Sequence, residues 1–507
     1  MSEVYRVLGP PGTGKTTFLR NQVSRWSDDY GYAPEDFVLT SLTRTAANNL
    51  KGRVAVPPEN CATLHALCYR GMGKPPIAEV GKLRKEWNEY VLARGMDIWT
   101  LEKEGSVDED IFHERLREHG AGQMLSAYTL WRVTGRRNPA LEEMTKLFAK
   151  YWEGFKTAHG AVDFTDMLEA GLSLDCCTGN PPVLMLDEAQ DLTPLQWQVF
   201  MHWAAAAERV VIAGDPAQAI FGWAGATPDN LLTPIPAEQL RVLGQSHRLP
   251  PAIHAYAETW LGQHTPPMME GRVYKPMETT GGVNRSEYSW EQADGLIEEI
   301  ALRARLGMDV MVLATCGYML VPLLDQLRAA GIPFHNPFRP TNGAWNPGSP
   351  EAYDAAVNLL TDSADWWSWA QHLPARHFVG FKKDAAQKAP ATVLSGEVYQ
   401  RVYRGHDWRW YLKECIGNVH ALEYELTCLG NQWREKRVIV GTVHSVKGGE
   451  ASAVYLFPDL SQAGVDDLET KDGRDAMIRL AYVGMTRSRS ELMLCAPANA
   501  ARTIDWL

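Results

Sequence analysis

One nine-residue stretch near the start of the chain, Gly9-Pro10-Pro11-Gly12-Thr13-Gly14-Lys15-Thr16-Thr17, constrains the fold more than any other. It satisfies G-x-x-x-x-G-K-[ST], with Gly9, Gly14, Lys15 and Thr16 at the fixed places and Gly12 between them. Val4 to Leu8 ahead of it is apolar and β-rich, and Lys15 to Leu19 behind it has helical spacing, giving strand, loop and helix. In that setting the glycines let backbone N–H groups wrap phosphate oxygens, Lys15 reaches the terminal phosphates and the Thr16 hydroxyl binds Mg²⁺.

A phosphate loop alone serves a kinase, a GTPase or a motor. A second acidic motif narrows the choice. Val183 to Leu186 is an apolar strand running straight into Asp187-Glu188-Ala189-Gln190-Asp191. This places Asp187 at a strand end to hold Mg²⁺, with Glu188 beside it to orient or deprotonate an attacking water. The pair points to hydrolysis rather than nucleotide binding alone.

At 507 residues the chain exceeds what one core usually serves. Strands are expected at Phe37 to Leu42, Val210 to Ala213, Val310 to Ala314, Arg437 to Val443, Val454 to Phe457 and Glu491 to Cys495. Helices are expected at Thr45 to Val54, Gly81 to Arg94, Asp108 to His119 and Leu320 to Ala330. This predicts an α/β protein of two cores, each interrupted by an insertion, with the second block starting near Leu240. The formal net charge of −11 argues against a chain coated in Lys and Arg, yet leaves room for a locally basic groove. Eight cysteines without a CxxC pair (Cys61, Cys68, Cys176, Cys177, Cys316, Cys415, Cys428, Cys495) suggest neither zinc nor an iron–sulfur cluster, and free thiols in a reducing cytosol are expected. No apolar run approaches a membrane span, and the start MSEVYRVLGPPG is read as leaving no room for a signal peptide, so a cytoplasmic protein is expected.

Further segments follow the two motifs in a fixed order: Thr40 to Leu50 (TSLTRTAANNL), Ala62 to Leu67 (ATLHAL), Asp163 to Met167 (DFTDM), Gly214 to Ala226 (GDPAQAIFGWAGA), Gln245 to Arg248 (QSHR), Thr442 to Glu450 (TVHSVKGGE) and Tyr482 to Ser488 (YVGMTRS). Together they resemble superfamily 1 DNA helicases of the UvrD/Rep/PcrA type over most of the chain. The resemblance implies two RecA-like P-loop cores: 1–70 with 158–239, which binds ATP, and 240–338 with 434–507. The insertions are then 71–157, mainly helical, and 339–433, reduced relative to the family. It also implies an ATP- and Mg²⁺-dependent hydrolase moving 3′ to 5′ on single-stranded DNA, or on duplex with a 3′ tail, as a monomer, with a protein partner for processive unwinding. Gln218 then bonds the terminal phosphate or the water, Arg248 and Arg487 stabilise transition-state charge, and Glu450 binds the ribose. Phe221 and Trp223 stack on bases, each platform contributing about 1–3 kcal/mol. Ser41, Thr63, His65, Thr442 and His444 contact backbone phosphates, although each is also suited to capping a helix. The cluster Trp366, Trp367, Trp369, Trp408 and Trp410 is assigned to packing of the second insertion. A translocase that displaces proteins with little unwinding, and a non-catalytic nucleic-acid scaffold, are the alternatives. RNA and DNA are not distinguished, and the pathway, repair or replication among others, stays open.

The sequence also departs from that family. His247 stands where a base-stacking Tyr is usual, only Met1 to Glu3 precede the first strand where an adenine-reading Gln is expected, and Thr45 and Ala224 replace a usual Lys and Arg along the DNA path. ATP is therefore expected to be the main fuel with relaxed preference over GTP, to be checked by steady-state kinetics with both nucleotides; strict selectivity for ATP contradicts it.

Overall fold

The computed structural model describes residues 3–42, 56–101, 122–174, 180–264, 272–292, 295–339, 344–349, 352–354, 356–357 and 419–505. The chain forms two compact units, one of 1–289, 313–318 and 442–507, the other of 290–312 and 319–441.

Six strands from the first half of the chain form one sheet: β1 (Glu3–Leu8), β2 (Phe37–Ser41), β3 (Cys61–Thr63), β4 (Val183–Asp187), β5 (Arg209–Gly214) and β6 (Leu240–Val242). Their order is β3-β2-β4-β5-β1-β6, and neighbours run parallel. Parallel strands covered on both faces read as continuous apolar runs, which is why β2 and β4 are buried at every position. Alternate side chains divide between the faces. Val38, Leu184, Leu186, Val210 and Ile212 pack with residues of α2 (Leu64–Gly71), while Val7, Leu39, Met185, Val211 and Ala213 pack with Leu19, Val23 and Trp26 of α1 (Lys15–Tyr30). Each such Val, Leu, Ile or Met side chain contributes about 1.5–3 kcal/mol by leaving water. The register pairs Leu8 with Gly214 and Ser41 with Asp187, so the chemistry-bearing residues share the C-terminal edge of the sheet.

The helical insertion contains α3 (Gly81–Leu92), α4 (Gln123–Thr134) and α5 (Glu142–His159). Trp87, Trp99, Phe148 and Trp152 form its core, with Trp87 and Trp152 edge to face at 4.8 Å. An ionic knot joins it to α6 (Phe164–Gly171). Arg132 of α4 meets Asp163 at 2.9 Å, Asp166 and Glu169, and Lys156 of α5 meets Asp163 at 2.7 Å and Asp166 at 2.6 Å. Asp163 also caps α6 in a capping box with Asp166. The trio Glu153, Asp163 and Asp166 is thus engaged by the two cations Lys156 and Arg132.

After α7 (Pro194–Ala204) and α8 (Pro251–His264) come the strands of a second sheet: β7 (Gly282–Arg285), β8 (Val310–Ala314), β9 (Phe334–His335), β10 (Val438–Thr442), β11 (Ala451–Leu456) and β12 (Ser488–Leu494), in the order β7-β12-β11-β8-β10-β9. The second unit carries α9 (Leu296–Arg305), α10 (Val321–Ala329) and α11 (Val419–Gly430), where the Tyr424 hydroxyl donates to the Ile332 carbonyl and accepts from the Phe334 N–H. Helices α12 (Gln462–Asp467) and α13 (Lys471–Met485) complete the first unit. Among the described residues no helix is long and apolar enough to cross a membrane.

The two parallel α/β sheets agree with the fold read from the sequence. One element is corrected: Leu240–Val242 does not open the second block but pairs with β1 as the edge of the first sheet, because its three residues continue the parallel ladder at Arg6 to Leu8. Short strands β3, β7 and β9 are too brief for a period-two pattern to reveal. The helices expected at Thr45 to Val54 and Asp108 to His119, and the Trp cluster of the second insertion, lie outside the described residues.

Glu79 accepts the Phe164 N–H at 2.9 Å beside this knot, where burial and the Asp163 carboxylate push it up to about 8. Between its ordinary value of 4.5 and about 8, the folded chain holds a proton that the unfolded chain releases, so stability falls as pH rises through that window. Glu79→Gln, which keeps the acceptor and removes the titration, is expected to raise the melting temperature at pH 8 and to leave it nearly unchanged at pH 5. A scan at both pH values checks this.

Candidate active site

The phosphate loop links β1 to α1 and is shaped by its glycines. Gly12 and Gly14 have φ of 73° and 79°, which disfavour any side chain. At Gly9 a Cβ would lie 2.0 Å from Lys15 Cγ, so only glycine lets the lysine fold back over the loop. Lys15 Nζ donates to the Gly9 carbonyl at 3.0 Å and lies 3.7 Å from Glu188 Oε1. The Thr13 hydroxyl donates to the Pro10 carbonyl at 2.7 Å, and the Thr16 hydroxyl donates to Asp187 Oδ2 at 2.9 Å. Thr17 lies in the first turn of α1, whose N-terminal amides carry the positive end of the helix dipole.

Asp187 ends β4, and Glu188 follows with φ of 57°, a left-handed conformation costing about 1–3 kcal/mol in a non-glycine residue. Gln190 holds this turn: its Nε2 donates to Glu188 and to Asp191, and its Oε1 accepts the Asp215 N–H at 3.0 Å. Burial and the adjacent Glu188 carboxylate push Asp187 up against the pull of Lys15. Burial opposes ionised Glu188 too, but Lys15 and then Lys447 outweigh it and hold Glu188 below the usual carboxylate range. The result is one firmly ionised carboxylate beside an under-compensated carboxylate and a hydroxyl. Oxygen donors of this kind suit a hard divalent cation.

The later motifs converge on the same loop. Gln245-Ser246-His247-Arg248 lies against it, with the His247 N–H donating to the Gly12 carbonyl at 2.8 Å and the Ser246 hydroxyl to the Pro11 carbonyl at 2.9 Å. A Cβ on Gly12 would fall 2.4 Å from Arg248 Cβ. Arg248 pairs with Glu450 at 2.7 Å. Arg487 is buried, donating to the carbonyls of Val483 and Gly449 and reaching Gln218 Oε1 at 3.4 Å. Burial, then the Arg248 cation, push it down to about 9.

Three successive carbonyls after the Gly214-Asp215 turn are each held by the C-terminal part of the unit. Gln218 O accepts from Lys447 Nζ at 2.6 Å, Ala219 O from Arg479 Nε at 2.7 Å, and Ile220 O meets His444 Nε2 at 3.1 Å. Phe221 follows, 6.0 Å from the His444 ring and 6.3 Å from Trp223, with Lys447 Nζ 5.1 Å from its centroid. The structure thus brings Phe221, Trp223 and His444 together. Thr442 is buried and its hydroxyl accepts the Ser445 N–H, while Thr63 caps α2 through the Ala66 N–H and His65 lies edge to face with Phe164. Ser41 ends β2 beside Asp187, its buried hydroxyl without a partner among the described residues. Thr45 lies outside the described residues.

Residues 2–236 match the family model described as the UvrD/REP helicase N-terminal domain. Over this stretch the chain is similar to UvrD/REP-type helicases. The putative ATP-dependent DNA helicase YjcD of Bacillus subtilis (strain 168) is 24% identical over 251 residues, covering 45% of this chain and 32% of that protein. UvrD2 of Mycobacterium tuberculosis (strain ATCC 25618 / H37Rv) is 24% identical over 255 residues, 45% of this chain and 36% of the relative. PcrA of Staphylococcus aureus (strain Mu50 / ATCC 700699) is 20% identical over 247 residues, 45% and 33%. Both are named ATP-dependent DNA helicases. The matched stretch therefore spans about a third of the length of these curated relatives.

Sequence reasoning named the motif glycines and acids but gave no role to Gln190, Asp191, Lys447, Arg479 or Arg272. Four of these lie in or beside quoted motifs, yet nothing in their spacing says which distant group each would meet. Lys447 is the sharpest case, since it meets Asp191 at 2.6 Å across 256 residues. Removing one partner of a buried pair leaves an uncompensated charge, at a cost of about 3–5 kcal/mol. Lys447→Met is expected to destabilise the protein by that order, and Asp191→Asn in the same chain to recover part of the loss; urea denaturation of the single and double variants checks this.

Proposed function

We propose that the chain is an ATP-dependent DNA motor that hydrolyses ATP at the Gly9–Thr17 loop and moves 3′ to 5′ on single-stranded DNA, coupling turnover to strand separation. The observation that carries this reading is the meeting of Lys15, Asp187, Glu188, Gln218, Arg248 and Arg487 around one phosphate loop, from five separate sequence segments. We divide the chain as the motifs suggest, into two RecA-like cores with an insertion in each.

In this mechanism the amides of the loop and the first turn of α1 bind the phosphates, and Lys15 Nζ neutralises the terminal ones. Thr16 and Asp187 would hold Mg²⁺, which when bound would neutralise charge on the phosphates. The acid–hydroxyl pair at 2.9 Å fits that donor set. Glu188, kept ionised by Lys15 and Lys447, accepts the proton of the attacking water. Arg487 and Arg248 sit where charge grows on the transferring group, an effect worth about 10³–10⁵ in rate where such arginines have been isolated. The string of anchored carbonyls from Gln218 to Ile220 ties the nucleotide side to Phe221 and Trp223, the aromatic platform proposed for bases. Ser41, Thr63, His65, Thr442 and His444 are proposed as contacts to the DNA backbone, and His247 and Glu450 as contacts to the base and ribose.

The test is the ATPase rate with single-stranded DNA, duplex and RNA, together with unwinding of duplexes carrying a 3′ or a 5′ tail. Stimulation by single strands and unwinding from the 3′ tail are expected, and Lys15→Ala is expected to lower kcat by at least about 100-fold. Hydrolysis that survives Lys15→Ala sinks the proposal. Streptavidin displacement without strand separation would reduce it to a translocase.

A further inference from the structure

Arg272 lies just ahead of β7, outside every motif that the sequence displays, and its side chain is almost fully buried. Its five N–H donors make five bonds. Nε and Nη2 form a fork on Asp215, each at 3.0 Å; Nη1 meets both oxygens of Glu258 on α8 at 2.9 Å; and Nη2 also reaches the Tyr482 hydroxyl. Glu258 in turn accepts from the hydroxyls of Tyr274 and Tyr482, each at 2.8 Å. Arg272, Glu258, Tyr274 and Tyr482 are each fixed by at least two others, and Asp215 by the Arg272 fork.

What Arg272 fixes reaches the proposed reaction. Asp215 Oδ1 takes the Ala217 N–H at 3.2 Å, and Oδ2 takes Gln218 Nε2 at 2.7 Å. A carboxylate held by a guanidinium fork offers lone pairs and no proton, so only a donor can face it. Gln218 must turn its amide nitrogen inward. Its Oε1 is then the atom left facing outward, 3.4 Å from Arg487 Nη2. An amide oxygen has no proton to give a phosphate oxygen, but it can accept one of the hydrogen bonds of a water.

We propose that Arg272 is a positioning residue for hydrolysis: by clamping Asp215 it locks the Gln218 amide with its carbonyl oxygen toward the attacking water rather than its nitrogen toward the phosphate. This rests on the ATPase reading above. In the step itself the water oxygen bonds to the γ-phosphorus as the bond to the ADP oxygen breaks. That electron pair leaves with ADP and one water proton passes to the Glu188 carboxylate. Gln218 Oε1 accepts a hydrogen bond from the other O–H and takes no proton.

The full chain with Asp215→Asn, Arg272→Lys and Arg272→Met tests this. Asn is isosteric but brings a donor, which frees Gln218 to flip; Lys keeps the charge and loses the fork. Two measurements are needed: kcat and KM for ATP with single-stranded DNA, and affinity for ADP–beryllium fluoride, a ground-state mimic, against ADP–aluminium fluoride, which includes the position of the attacking oxygen. We expect Asp215→Asn and Arg272→Met to lower kcat at least about tenfold, with KM within about threefold, and Arg272→Lys to recover part of the loss. Affinity for aluminium fluoride should fall at least about tenfold, while that for beryllium fluoride holds within about threefold and so reports an intact site. Equal weakening of both analogues would mean that Gln218 bonds the phosphate, or that Arg272 serves the fold alone, and overturns the proposal, as does a variant set indistinguishable from wild type. A wild-type chain without ATPase activity removes the functional reading as well, whereas an active wild type with unaffected variants removes only this inference.

Discussion

Burying carboxylates at the end of a parallel sheet is the constraint on which the rest of this structure depends. Asp187, Glu188, Asp191 and Asp215 all sit at the C-terminal edge of β4 and β5, where desolvation disfavours each charge. Such a row is tolerable only if cations are brought to it, and each arrives from elsewhere in the chain: Lys15 from the phosphate loop, Lys447 from beyond β10, and Arg272 from ahead of β7. Compensation is complete at Asp215 and Glu188, which stay ionised, and incomplete at Asp191 and Asp187, which are both pushed up by burial. The shortfall at Asp187 lies beside the Thr16 hydroxyl, at the place where a divalent cation would remove it.

The same pairing anchors the Asp215–Ile220 segment. A loop leaving a sheet edge ordinarily satisfies its carbonyls with water, and here Lys447, Arg479 and His444 satisfy three in succession. Because Lys447 touches both Asp191 and the Gln218 carbonyl, a change at the acidic turn has a short covalent and ionic route to Phe221. The route is a chain of charge-assisted bonds within one compact unit.

Much of the fold was legible. The apolar runs at Val183 and Val310 became β4 and β8 at the same starting residues, because strands buried on both faces cannot afford polar interruptions. Leu240–Val242 was misassigned because three residues carry no period, and its partner β1 lies more than 230 residues earlier in the chain. The phosphate loop, Asp187 and Glu188 were legible because a tight turn requires glycine and a strand end requires an abrupt change from apolar to acidic. Arg272 was not, since a lone arginine between Gly271 and Val273 looks like any surface cation.

By itself, then, the sequence determined which local shapes the chain can make: a glycine-bounded phosphate loop, an acidic strand end, alternating strands and helices in two blocks, and the motif order that resembles a helicase. Those are properties of residue type and spacing over about a dozen positions. Only the tertiary structure decided which cation answers which carboxylate, that Arg248 is held by Glu450, and that the Gln218 amide turns its nitrogen to Asp215. These depend on atoms brought within 3 Å or so from positions hundreds of residues apart, and Coulomb and hydrogen-bond energies are set by that distance and not by order along the chain.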